Sequence, residues 1–196
     1  MKVIALNGSP KAKGNTSVAL GIICAELQNN GIETEILQVG GKIYNPCKVC
    51  MKCRKEKDGY CHGYTNDSED VLNQYLEKIY SAQGLVIGSP VYFGSITPEV
   101  KSFIDRAGYC SRGGSGNLIK RKVCAPVAVV RRHGANETIA QITNFFALGE
   151  AIVPYSSYWN FAIGREPGEI LNDAEGVGTL KTLGENMAWL LKKLYE

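Results

Sequence analysis

The sequence predicts an α/β fold: a three-layer sandwich on a five-stranded parallel sheet in the order 2-1-3-4-5, within one domain spanning residues 1–196. Three observations lead there. Short apolar runs alternate with helix-length amphipathic stretches, the pattern of successive β-α-β units. The first run, residues 3–6, reads as a strand buried on both faces and empties directly into Asn7-Gly8-Ser9-Pro10. A chain of 196 residues, 44% hydrophobic and 21% charged, is long enough to bury a substantial core and too apolar to be disordered.

The elements follow in order. Residues 16–30 form a helix with Val18, Leu20, Ile22, Ile23 and Leu27 on a wide apolar arc that stops at Gly31, a natural C-cap residue. Residues 33–39 form strand 2, whose alternation of Thr34 and Ile36 with charged neighbours suits an edge. The connection 40–66 is far longer than the ~2–6 residues usual in such units, and it carries four of the seven cysteines. Asp67-Ser68-Glu69-Asp70 reads as a helix start ahead of Leu72, Tyr75, Leu76 and Ile79. Strand 3 is placed at 84–89, a loop at 90–98 and a helix at 99–107. Strand 4 is placed at 122–130, a helix at 136–148, a short strand 5 at 151–154 and a last helix from about Glu175. In a doubly wound sheet the ligand lies at the carboxyl ends of strands 1, 3 and 4, so residues 9–17, 90–95 and 131–134 should meet at one crevice.

The first of those loops has the chemistry of a phosphate receptor: glycines, hydroxyls and the amino end of a helix. It is not a P-loop, because Gly14 is followed by Asn15 and Thr16 instead of a Lys-Ser/Thr pair, and the chain has no G-x-G-x-x-G. A nucleoside triphosphate and a Rossmann-type dinucleotide are therefore disfavoured, and a monophosphate is favoured. The second loop sets Tyr92 and Phe93 beside Gly94-Ser95, a platform for a flat ring, although core packing explains either aromatic alone equally well. Arg131, Arg132 and His133 at the end of strand 4 are candidates for a positive field over that ring, with exposure to solvent as the alternative.

A net charge of +3 gives no reason to expect a nucleic-acid or lipid partner. With the first strand beginning at once and no apolar run near ~20 residues, a cytoplasmic, membrane-free protein is expected. An odd number of cysteines in such a chain points to metal or redox chemistry rather than a disulfide framework.

Asn7-Gly8-Ser9-Pro10 with Gly14-Asn15-Thr16, and Gly88-Ser89-Pro90-Val91-Tyr92-Phe93-Gly94-Ser95 with Thr97-Pro98, Lys101 and Phe103-Ile104-Asp105-Arg106, resemble the flavodoxin-like NAD(P)H-dependent FMN reductases and their iron-sulfur flavoprotein branch. The resemblance implies FMN as cofactor and NAD(P)H as co-substrate. It places Ser9, Lys11, Asn15, Thr16 and Ser17 on the phosphate and Pro90, Val91, Tyr92, Phe93, Gly94 and Ser95 along the isoalloxazine. No side chain is then needed as nucleophile or acid, because the flavin carries the chemistry.

Cys47, Cys50, Cys53 and Cys61 read C-x2-C-x2-C-x7-C. Three thiolates at repeated spacing and a fourth further along suit a [4Fe–4S] cluster. They also resemble the compact motif of the iron-sulfur flavoproteins, except that Lys48, Lys52, Arg54, Lys55 and Lys57 crowd the loop. Structural zinc and free thiols stay open as alternatives. Cys24 and Cys124 read as core residues and Cys110, beside Gly113-Gly114, as a candidate for exposure.

The leading expectation is an FMN-dependent oxidoreductase that takes hydride from NAD(P)H and passes electrons to a small-molecule or protein acceptor. An electron carrier between protein partners is the alternative, and a cofactor-free binding module a third. The resemblance also implies a homodimer or homotetramer, for which Tyr155-Ser156-Ser157-Tyr158-Trp159-Asn160 is a candidate interface, with packing on its own domain as the alternative.

Overall fold

Side chains alternate between the two faces of the sheet along the central strands, and this alternation sets the layers. The computed structural model describes residues 1–43, 45–113 and 116–196. In β1 (Lys2–Asn7), Val3 and Ala5 face one side while Ile4 and Leu6 face the other; in β3 (Gly84–Pro90), Val86 opposes Leu85 and Ile87 in the same way. Every one of these side chains is fully buried, so the central sheet needs helices on both faces. On one face lie α1 (Asn15–Asn29) and α6 (Ala174–Tyr195), packed through Leu20, Ile23, Leu183 and Met187. On the other lie α3 (Leu72–Ser81), α4 (Pro98–Ser111) and α5 (Ala135–Leu148), which contribute Leu76, Phe103 and Phe146.

With β2 (Glu33–Gln38), β4 (Val123–Val130) and β5 (Phe161–Ile163), the sheet has five strands in the order β2-β1-β3-β4-β5, all pairs parallel. This is the order expected from the sequence. The fifth strand, however, is not residues 151–154. There Ile152 makes a single bridge to Val123, bonding Lys122 O and the Cys124 amide; the chain then leaves the sheet and returns as Phe161–Ile163 beside Ala128–Val130. The edge is one interrupted strand, and the excursion between its two parts carries the aromatic segment 155–160.

Three further boundaries differ. Asp67 and Asp70 cap turns ahead of α3 by accepting from the amides of Glu69 and Leu72, so that helix starts at Leu72 rather than at Asp67. The helix expected at 99–107 runs on to Ser111, which carries Cys110 into the core. Within the 40–66 connection a short helix, α2 (Lys52–Glu56), holds Cys53 inward. Among the described residues no helix is long and apolar enough to cross a membrane.

Candidate functional site

At the carboxyl end of β1 the chain turns through a loop whose backbone is fixed from within. The Ser9 amide donates to Asn7 Oδ1 (3.1 Å), the Lys11 amide to Ser9 Oγ (3.2 Å) and the Gly14 amide to Lys11 O (3.2 Å). Gly40, just past β2, presses on this loop so closely that a Cβ there would stand 2.2 Å from the Ser9 carbonyl carbon. Gly14 is the N-cap of α1 and has no side chain to offer, which leaves the first-turn amides of the helix facing the loop. A Cβ on Gly14 would intrude toward Lys11 Cβ and Ser9 Oγ.

The loop after β3 meets it. The Val91 amide bonds Val129 O, and Tyr92 and Ser95 exchange both backbone hydrogen bonds around Phe93 and Gly94. Phe93 (φ 48°) and Gly94 (φ 75°) are both left-handed, a tight primed turn that projects the Phe93 ring fully into solvent. Between the two loops opens a hollow of about 230 Å³, with Ser9, Lys11, Thr16, Pro90 and Tyr92 on its walls. Thr97 ties the rim together: its hydroxyl donates to Gly8 O (3.0 Å) and its amide donates to Ser89 Oγ (3.1 Å).

Residues 131–134 reach the second loop but not this hollow. Gly134 (φ 92°) packs so tightly that a Cβ would lie 2.7 Å from Val91 Cγ1. Arg131 and Arg132 line an adjoining hollow with Arg165 and Asp173, while the exposed His133 lines another beside Tyr158 and Trp159. The wall expected from strand 4 is supplied by the turn after β5, where Gly164, Arg165 and Pro167 close the first hollow. Asn15 latches that turn: its Nδ2 donates to Glu166 O (2.8 Å) and its Oδ1 accepts from the Gly168 amide (2.6 Å). Ser17 Oγ donates to Gly14 O, and Lys11 is exposed. Arg165 was missed because strand 5 was placed ten residues too early, so the loop following it was not read as part of the rim.

The second site lies on the α4 side of the molecule. Cys47, Cys50, Cys53 and Cys61 come together around a small enclosed hollow of about 20 Å³. Cys53 is buried and Cys50 exposed, with Cys47 and Cys61 between. Cys110, a candidate for exposure by its sequence, is buried and lines the same hollow. Arg106, one helical turn before it on α4, also lines the hollow, and this i, i+4 spacing was a legible signal obscured by ending the helix at Ala107. Gly114 lies outside the described residues.

Hydrogen bonding from Cys110, with help from the Gly63 amide and Arg106, holds the Cys61 thiol well below its usual range. That same bond, together with burial, pushes the Cys110 thiol up, and burial pushes Cys53 up. Cys61 is thus favoured as a thiolate over Cys53 and Cys110. Among the described residues no three His, Cys, Asp or Glu side chains close on a point suited to a single ion. The donors ring a hollow instead. Cys24 and Cys124 are buried in the core, as expected.

Comparison with known proteins identifies the family. Residues 1–166 match the family described as NADPH-dependent FMN reductase. An iron-sulfur flavoprotein of Methanocaldococcus jannaschii is 35% identical over 98% of this chain and 98% of its own. A WrbA-like flavodoxin of Agrobacterium tumefaciens superposes with a TM-score of 0.67 at 10% identity, covering 98% of this chain and 97% of the other. FerB, an NAD(P)H:(acceptor) oxidoreductase flavoenzyme of Paracoccus denitrificans, gives 0.67 at 16% identity over 98% and 97% of the two chains. At those identities the two structures speak for the fold, which is flavodoxin-like. Sequence match and architecture together place the chain in the NADPH-dependent FMN reductase family, among relatives named iron-sulfur flavoproteins.

Proposed function

We propose that this chain is an FMN-dependent oxidoreductase that accepts hydride from NAD(P)H and passes electrons to a small acceptor, with a [4Fe–4S] cluster held by Cys47, Cys50, Cys53 and Cys61. The observation that carries the reading is the crevice itself: an uncapped helix amino end and an aromatic turn face one hollow at the carboxyl ends of β1 and β3. FMN, when bound, supplies the hydride-accepting ring and the release of electrons. The chain's own part is binding, orientation and field. The first-turn amides of α1 and the hydroxyls of Ser9 and Thr16 suit the phosphate, with Lys11 adding charge, while Ser17 spends its hydroxyl proton on Gly14 O and supports the loop. Residues 90–95 suit the ring edge. Asn15 acts through its latch on the turn that presents Arg165. Arg131 and Arg132 add positive potential at the side of the crevice, where a nicotinamide nucleotide would dock.

The donor set suits a cluster chemically: four thiols, one already inclined to ionise, with Arg106 beside it. The hollow has room for about one water, so seating a cluster requires the outer wall 47–51, which is largely exposed, to stand further out.

A second reading, a carrier between protein partners, is favoured by the exposed cations Lys52, Arg54, Lys55 and Lys57 on and beside α2. Anaerobic absorption spectra decide the cofactors: flavin bands with a broad shoulder near 400 nm, as is general for iron-sulfur proteins, are expected. Rapid bleaching by NADPH supports the enzyme, whereas bleaching only by a reduced iron-sulfur protein supports the carrier. Colourless protein that takes up no FMN overturns both. A homo-oligomer built on Tyr155, Tyr158 and Trp159, all about half exposed, completes the proposal and is checked by light scattering.

A further inference from the structure

The guanidinium of Arg106 is the most deeply buried cationic group of the described residues, 2% exposed on α4. Its Nη1 is paired with Asp70 Oδ2 at 2.7 Å and lies 3.5 Å from Asn45 O, and its plane stands 4.7 Å from the Tyr64 ring centroid. These contacts satisfy one end and one face. Its Nε–H, equally buried, has no acceptor among the described residues. The side chain lines the cysteine hollow, beside Cys61.

A buried donor left unmade costs about 1–3 kcal/mol, more on a charged group, so this N–H calls for an acceptor, and the described residues supply none at Nε. The pairing with Asp70 sharpens the point. The charge is already balanced, so the need is for a directed acceptor at one atom and not for a counter-ion.

Resting on the cluster reading above, we infer that Arg106 is a positioning residue for the cluster, its Nε–H donating to a cluster sulfide. A donor aimed at sulfur stabilises the reduced, more negative state of the cluster and raises its potential. Asp70, Asn45 and Tyr64 hold the guanidinium at the hollow, so the donor is in place before the cluster arrives.

The test uses full-length protein carrying 15N-arginine, loaded with iron and sulfide, reduced to its paramagnetic state and measured by pulsed EPR. A 15N coupling to the cluster is expected, and it should vanish in Arg106→Lys, which keeps a cation opposite Asp70 but has no N–H at the Nε position. The same variant should show a lower cluster midpoint potential while keeping its iron content. A loaded wild-type cluster without 15N coupling overturns the inference and leaves the cluster reading standing, as does a folded, loaded Arg106→Lys with an unchanged potential. Protein that takes up no iron overturns both. The wild-type measurement does not depend on how well the variant folds.

Discussion

Asn15 spends both ends of its amide on the turn behind the crevice, so its contribution to a bound mononucleotide is one of placement. Asn15→Ala releases Glu166 O and the Gly168 amide to solvent and loosens the wall that carries Arg165. The expected outcome is FMN affinity weakened by about 1–2 kcal/mol, roughly tenfold in Kd, read from flavin fluorescence; unchanged affinity would show that the turn plays no part in binding. Phe93 makes the opposite case. Its left-handed backbone carries strain, and its ring, fully in water, recovers nothing by burial. Phe93→Asn should therefore stabilise the chain by about 1 kcal/mol, about 2–4 °C in Tm, measurable by thermal melting. At this scale the sequence was legible where a crevice wall follows a strand closely, as at Ser9 and Tyr92. It was illegible where partners arrive from far along the chain. Nothing near Cys110 announces Cys61, and nothing near Arg165 announces Asn15.

At the scale of elements, α4 shows how the crevice is braced. Thr97 is its N-cap, accepting from the Val100 amide while donating to Gly8 O, and a single hydroxyl thus joins the end of β1 to the helix that follows β3. Thr97→Val keeps the shape and removes both bonds in a buried setting, so a loss of about 2–3 kcal/mol is expected. Urea unfolding checks it, and a loss within error would mean that packing alone sets the rim. The central strands and their order were legible because both-face burial leaves continuous apolar runs such as Val3–Leu6 and Leu85–Ile87. The fifth strand was not. Residues 151–154 have strand-like composition and do bridge β4 once at Ile152, yet the stretch that pairs for three residues, Phe161-Ala162-Ile163, is short enough to be hidden among the aromatics before it.

For the whole molecule, α4 separates two chemical sites. It starts at Thr97 on the crevice rim and reaches Cys110 about 20 Å further along its axis, given 1.5 Å per residue. The sites share a helix and little else, so they should load independently. Cys53→Ser should lose iron and the absorption near 400 nm while binding FMN as before, by iron assay and flavin titration; joint loss of both cofactors would mean that one site builds the other. The sheet margins have a separate consequence. One margin, β2, alternates glutamates held by Lys2 and Lys78; the other pairs for three residues and then breaks off. Among the described residues neither margin presents a long, flat, apolar ladder to a stray chain, so strand addition is disfavoured at both edges of the sheet.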